Sequence, residues 1–530
     1  MTIRSRGRLA GTIALLATVA LGTTACVDSS EGTPSGSGSE TADPAAVADR
    51  GAPLRVSLPY GYNSFDPHKS PSAQGDQVFL RPVYDSLLTI DRSADGVTLT
   101  PQLATSYKVS ADGRSVTFAL RKGVKFQDGA PFDAEAVKAN LTRATGPGST
   151  VASLLSSIAG VDVVDASDVV LRLKQPDPSV LWAMAFGTTG MMISPKAMDN
   201  SDLAAKPVGA GPYKLVSAAK DATIVYQRWD GYWDKDAALA SKITVSTVSD
   251  PNVAFNGTRS GEFDISWMTP PFDSRSKQLT AQGYRWEQAL SPVAYGVLLH
   301  TGKAPFNDVR VRRAVSMALD RKTISTKLLN GVSPPSYQAF GKGYLGYDKT
   351  LDKDPYNVAA AKALVSAAGA TGTVIKLIQP TQEPQKSLAE ILQQDLAAIG
   401  LKAELVPLSP TEGRPAWRTG AYQAMVAPII AQPEPSFTLD NSYLGGDNLA
   451  PPPAELSALA LKARALPVGS AAREAAYKQI SAYLVANPIH IPIAQFSTVL
   501  VGRPDVVGSR TLMATGIADL DFRGVGRSGK

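Results

Sequence analysis

The sequence predicts an α/β protein whose body folds as two lobes around a cleft. Three observations predict it. Stretches that alternate apolar and polar residues are interleaved with stretches of helical spacing that stop at glycine. One strand–helix–strand run, 373–409, reads as a βαβ unit, which brings its two strands parallel through a right-handed crossover. The mixed pattern extends from residue 54 almost to the C-terminus, more chain than one core usually holds. Small-molecule sites favour the crevice between such lobes.

The elements follow in order. LRVSLPYGYN (54–63) is a strand entering a loop. TSYKVSADGRSVTFALRKGVKF (105–126) holds two strands around Asp112-Gly113, a hairpin turn pair. Residues 134–143 have helical spacing, and VDVVDASDVVLRLK (161–174) is a second hairpin through Ala166-Ser167. TIVYQRWDGYW (223–233) begins as a strand and 242–250 is a strand, followed by a helix, a Gly turn and a strand across 252–267. A helix covers 309–320, and another, 357–370, ends at Gly369. The βαβ unit comprises strand 373–380, a helix 387–400 closed by Gly400, and strand 401–409. A helix over 469–486 precedes the strand-like IHIPIAQFSTVLVG. No repeat of 20–50 residues is present.

The N-terminus has a different pattern. Arg4, Arg6 and Arg8 precede the apolar run LAGTIALLATVAL and the small residues GTTA, the architecture of an export signal over 1–25. The run is too short to cross a bilayer comfortably, and the alternative is a buried N-terminal helix. Cys26, the only cysteine in the chain, follows directly. Residues 27–53 hold no aromatic side chain and read as a flexible tether spanning roughly 25–30 Å. No later stretch is a membrane-spanning run.

Composition excludes several function classes. One cysteine rules out a disulfide scaffold and Cys-rich metal sites. Three histidines (His68, His300, His490) give little for a His-rich metal centre, so no metal and no cofactor are expected. Without the three N-terminal arginines the formal charge falls from +6 to +3, which gives no indication of nucleic-acid binding. There is no G-x-S-x-G elbow, no H-E-x-x-H, no P-loop and no G-x-G-x-x-G between a strand and a helix. Acid pairs such as Asp230 and Asp234 occur on aromatic-rich loops, as chance pairs do, so an enzyme is not expected.

The segment PQLATSYKVSADGRSVTFALRKGVKFQDGAPFDAEAVKANLTR (101–143) resembles the signature of the bacterial extracellular solute-binding proteins, family 5, the peptide- and nickel-type receptors of ABC importers. Further resembling segments follow in family order: FDPHKSP (65–71), YDSLLTID (84–91), VGAGPYKL (208–215), RWDGYWD (228–234), RSGEFDISW (259–267), APFNDVRVRRAVSMALDR (304–321) and ANPIHIPIA (486–494). Together they cover about 54–500. Most of 101–143 is read as scaffold: the turn at Asp112-Gly113, core Phe118 and Phe126, and a helix start near Asp133. Cys26 after Thr-Thr-Ala is similar to a bacterial lipobox, although Thr23 stands where leucine is usual. That likeness implies a lipidated cysteine, the alternative being a free thiol, and two acyl chains anchor stably where one is marginal.

The resemblance implies the large two-lobed periplasmic-binding-protein fold with a hinge. Lobe I would comprise 54–90, 207–303 and 495–525, an inserted subdomain 91–206, and lobe II 304–494. It implies a monomeric receptor, tethered to the outer face of the membrane, that captures a peptide or peptide-sized solute by closure and delivers it to ABC permease subunits. Alternatives are an opine, an oligosaccharide or a metal chelate as ligand, or a secreted hydrolase on the same fold. The implied ligand contacts are Tyr62 and Asn63 after the first strand, Trp267 (otherwise a core tryptophan), Tyr295, Phe496, and Glu434 in the cleft segment 427–437. Where many peptide receptors carry an aspartate for the ligand's amino group, this chain has Ala431, and Glu434 is the nearest acid. A buried ammonium without a carboxylate would be costly, which points away from the usual recognition of a free amino terminus.

Overall fold

The structure is a computed structural model that describes residues 43–93, 96–268, 278–508 and 520–529. The expected export signal and Cys26 lie outside the described residues. In chain order the strands are β1 (Leu54–Leu58), β2 (Leu88–Ser93), β3 (Gly96–Pro101), β4 (Ala104–Val109), β5 (Ser115–Leu120), β6 (Ile158–Val163), β7 (Asp168–Leu173), β8 (Tyr213–Ala218) and β9 (Thr223–Arg228). They continue with β10 (Lys242–Thr247), β11 (Ile265–Met268), β12 (Arg285–Leu299), β13 (Val374–Pro380), β14 (Lys402–Leu408), β15 (Ala424–Ile429), β16 (His490–Gly502), β17 (Val506–Val507) and β18 (Gly526–Arg527). Among the described residues, ten of them form one sheet in the order β14-β13-β15-β12-β16-β11-β1-β10-β9-β8.

One end of that sheet is lobe I. β1 runs parallel to both β10 and β11, with Leu54, Val56 and Leu58 buried, and β9 and β8 continue antiparallel to the edge. The other end is lobe II. There β13 and β14 pair in parallel from Val374↔Lys402 to Pro380↔Leu408, with the helix Gln385–Ala398 between them in the chain. The expected βαβ unit is therefore present. Gly400, at φ +91, adopts the left-handed turn that lets the chain leave that helix. Lobe II has two hydrophobic cores, one around Val297, Leu377 and Leu392, the other around Trp417, Leu456 and Ile480.

Two long strands, β12 and β16, join the lobes and stay paired with each other on both sides of one break in register. The first half of β12, Arg285–Leu290, pairs with Gly502–Ser497 of β16, whose far end also pairs with β11 of lobe I. The register then breaks between Leu290 and Ala294. Beyond the break β12 pairs with β16 on one side and with β15 of lobe II on the other. Four steps along β12 at the break match two along β16, a bulge that bends the strand between its two halves.

The inserted subdomain lies between β1 and β8 in the chain. It holds the β2–β3 hairpin and a four-stranded sheet in the order β4-β5-β7-β6. Both expected hairpins form. Tyr107 faces Phe118 across the first, and its turn uses Gly113 at φ +68, where Ser110 O accepts from Gly113 N at 2.9 Å. Asp133 caps the helix Ala134–Thr145, its Oδ1 accepting from Ala136 N at 2.9 Å. Phe118 and Phe126 are core residues, so the signature segment builds this subdomain.

The tether expectation needs one correction. Residues 43–53 are docked on the body: Ala48 bridges to Ser528, Asp49 N donates to Arg527 O at 2.7 Å, and Arg50 O accepts from Arg228 Nη1 at 2.7 Å. Main-chain polar groups pair when the C-terminal segment offers partners, even where side chains have little to bury.

Candidate ligand site

The parallel strands of each lobe end in loops that carry three of the six expected contacts, Tyr62, Asn63 and Glu434, and the other three lie within strands. In open α/β sheets the carboxyl ends of parallel strands are where ligands sit. On lobe I these ends are Leu58 and Met268. Tyr60, in the loop after β1, meets the Trp267 ring edge-on at 5.6 Å and the Phe79 ring at 5.9 Å. Tyr62 lies against Phe65 at 4.5 Å, ring to ring, and is half-buried. Trp267 is 8% exposed and belongs to the lobe I core, so most of its ring supports the loop and little of it faces out. Asn63 is exposed, yet its main-chain N and Nδ2 both donate to Asp76 Oδ1, at 2.9 and 3.0 Å. Asp76 Oδ2 also accepts from Ser64 N and Ser70 Oγ, at 3.1 and 2.5 Å, so one buried carboxylate shapes the loop.

Between the lobes, Tyr295 and Phe496 stack at 4.8 Å with a 34° tilt, just beyond the break in β12. Tyr295 is buried, and burial pushes its phenol well above the ordinary range; Phe496 is half-buried. Gln495, next to Phe496, bridges the break. Its Nε2 donates to Ser291 O at 2.8 Å and Lys342 O at 3.0 Å, and its Oε1 accepts from Lys342 N at 3.1 Å.

The lobe II segment after β15 differs from the expectation. Glu434 is fully enclosed and engaged within its own lobe. Its Oε1 accepts from Arg473 Nη2 at 2.6 Å, Ser436 Oγ at 2.8 Å, Ser436 N at 3.1 Å and Tyr477 OH at 3.3 Å. Arg473 Nη1 donates in turn to the carbonyls of Ala463, Arg464 and Leu466 at a helix end. Glu434 is therefore a structural clip with no free charge for a ligand ammonium, because a buried guanidinium already neutralises it. The other two acids of 424–450 are paired as well: Asp440 with Arg464 at 2.6 Å, and Asp447 with Arg414. Ala431 is buried.

Sequence reading missed Tyr60, Gln495 and Arg473. Tyr60 stands beside Tyr62 in the same aromatic loop, a signal available in the sequence. Gln495 and Arg473 act on main chain and carboxylates remote in sequence and leave no local pattern. An open groove of about 1090 Å³ lies elsewhere, between the loop 64–69, the helix Ala134–Thr145 and residues 195–204, and none of the expected contacts lines it. Among the described residues no three His, Cys, Asp or Glu gather as metal ligands. His68 and His490 are buried, and burial lowers each to about 4. No helix among the described residues is long and apolar enough to cross a membrane.

The family model described as "Bacterial extracellular solute-binding proteins, family 5 Middle" matches residues 98–449. The chain belongs to this family. Glutathione-binding protein GsiB of Salmonella paratyphi A is 30% identical over 362 residues, 67% of this chain and 69% of that protein. Among solved structures, the Brucella suis NikA complex with Fe(III)-EDTA aligns at TM-score 0.76 with 26% identity, covering 90% of this chain and all (100%) of that one. The ABC transporter-associated periplasmic binding protein DppA of Helicobacter pylori, in complex with the peptide STSA, aligns at TM-score 0.77 with 22% identity, covering 90% and 98%. The fold is that of the two-lobed periplasmic binding proteins. Family 5 proteins are solute receptors of ABC importers, and this family 5 chain is such a receptor.

Proposed function

We propose that this family 5 receptor is held at the outer face of the membrane by a lipid on Cys26 and works there as a monomer. It takes a peptide-sized solute between its lobes by closure and hands it unaltered to a permease. The observation that carries this reading is the shared break where β12 and β16 pass between the lobes, with Tyr295 and Phe496 stacked beside it. Two broken strands are a narrow connection about which packed lobes can rotate. A ligand touching both sides favours the closed state by its difference in affinity for the two states.

In this reading Tyr60, Tyr62 and the outer edge of Trp267 receive the ligand from lobe I, and Phe496 receives it over Tyr295 at the crossing. Lobe I is counted as 54–90, 207 to the break in β12, and the chain from the break in β16 onward; lobe II is the remainder up to β16. All three acids of the 424–450 segment are paired within lobe II, so the ligand is held by aromatic faces and main-chain groups instead of an ammonium–carboxylate pair. That observation keeps opines and chelates beside peptides as ligands. The relative named for glutathione supports a small peptide-sized solute.

The test is thermal unfolding across a panel of di- to tetrapeptides, opines, oligosaccharides and metal chelates, with recovery of each compound. A ligand at about 100 times its Kd should raise Tm by about 2 °C or more and return chemically intact. Conversion of any compound that stabilises the protein would replace the receptor reading with an enzymatic one.

A further inference from the structure

One contact spans the hinge outside the expected ligand surface. Phe437 is the third residue of the short helix Pro435–Thr438, directly after the cleft segment. Its side chain does not join either lobe II core. It is 7% exposed and packs into the core of the inserted subdomain, otherwise made of residues 87–192 and Ala210. Val468, between the helices Ala454–Arg464 and Ala471–Ala486, packs on the same core. The carboxylate of Asp177, in the subdomain, lies within electrostatic reach of Arg464.

Phe437 also sits on a stiff mount. On one side Glu434 caps its helix and is clipped by Arg473. On the other, Arg464 Nη2 reaches Ser436 O at 3.4 Å and Asp440 Oδ2 at 2.6 Å. Side-chain rotation alone therefore cannot maintain the contact while the lobes separate. The subdomain leaves the chain between β1 and β8, both strands of lobe I. Phe437 belongs to lobe II. A contact that bridges a hinge in this way is made at one hinge angle and broken at others, so it biases the equilibrium between them.

We propose that Phe437 is a positioning residue: docked on the inserted subdomain, it holds the cleft segment toward lobe I and favours the closed form before ligand arrives. The inserted subdomain is then a working part of closure, not only an ornament on lobe I. The inference needs the hinged fold and is independent of the ligand's identity.

The experiment is single-molecule energy transfer on the full chain without ligand. Cys26→Ser removes the only native thiol, and dyes go on Val164→Cys in the subdomain and Leu461→Cys in lobe II, which are 64% and 66% exposed. Phe437→Ala should move the closed-to-open ratio roughly tenfold toward open. Val468→Ala should move it the same way by less, and Phe437→Leu should stay near wild type. Identical distributions in wild type and Phe437→Ala, with circular dichroism unchanged, would overturn the proposal. So would an equal loss in Phe437→Leu. If Phe437→Ala does not fold, Val468→Ala decides: a shift toward open supports the proposal and an unchanged distribution overturns it.

Discussion

Two buried carboxylate–guanidinium pairs, one on each side of the hinge, are built differently. Asp85 takes Arg523 Nη1 at 2.8 Å, Gln102 Nε2 at 2.9 Å, Trp233 Nε1 at 2.8 Å and Tyr232 OH at 3.0 Å, so both of its oxygens are satisfied. It joins the C-terminal segment 520–529 to the root of the inserted subdomain. Glu434 gathers all its donors on Oε1, while Oε2 and Arg473 Nε meet no partner among the described residues. The first pair is a completed network that closes a seam. The second leaves polar atoms unsatisfied and fixes the shape of a loop beside the cleft. The conformation that this second pair enforces presents Phe437 and the cleft segment.

The largest expected effect comes from breaking the incomplete pair. Arg473→Met should cost about 4 kcal/mol in urea unfolding, because it strands a buried carboxylate and frees three helix-end carbonyls. Arg523→Met should cost about 2 kcal/mol, since Asp85 keeps three neutral donors, and Asp521, the other partner of this guanidinium, is partly exposed and still accepts from the main-chain N of residue 523. Equal costs, or the reverse order, would break the comparison. Ligand affinity should fall in the first variant and hold in the second.

Next comes pH. His68, packed near the root of the inserted subdomain, and His490, in lobe II, bind a proton near 6.5 in the unfolded chain. Burial lowers both to about 4 in the folded protein. Between those values the unfolded state binds more protons, so the stability they contribute is full above about pH 6.5 and is lost as pH falls toward 4. The loss should be on the order of 3 kcal/mol per imidazole. Chemical denaturation at stepped pH should show it, and His490→Gln should flatten the slope. An unchanged slope would mean that His490 is not held neutral in the fold.

How much of this was legible in the sequence depended on whether the cause was local. Hairpin turns such as Asp112-Gly113 and helix ends such as Gly400 announce themselves, because turn chemistry acts over a few residues. β15 did not, because Pro428 argues against a central strand. The structure shows why the proline is tolerated: β13 pairs only as far as Met425, and Pro428 lies beyond it. β12 was missed because GVLL and its neighbours are buried on both faces and show no alternation. At the site, the aromatic loop of lobe I was readable. The clip on Glu434 was not, since Arg473 lies 39 residues away on another helix.

Smaller effects sharpen the division within the site. Phe496→Ala, at the crossing, should weaken ligand binding roughly tenfold with little change in stability, read by calorimetric titration. Asn63→Ala should change affinity by less than about threefold, because its amide already serves Asp76.

The central claim is rotation of two lobes about the shared break in β12 and β16. Small-angle X-ray scattering tests it most directly, on protein stripped of ligand and then saturated with whatever compound the stabilisation panel identifies. The account predicts that the radius of gyration falls by about 1 Å on saturation, as hinge closure requires. An unchanged radius and an unchanged distance distribution at full occupancy would contradict it.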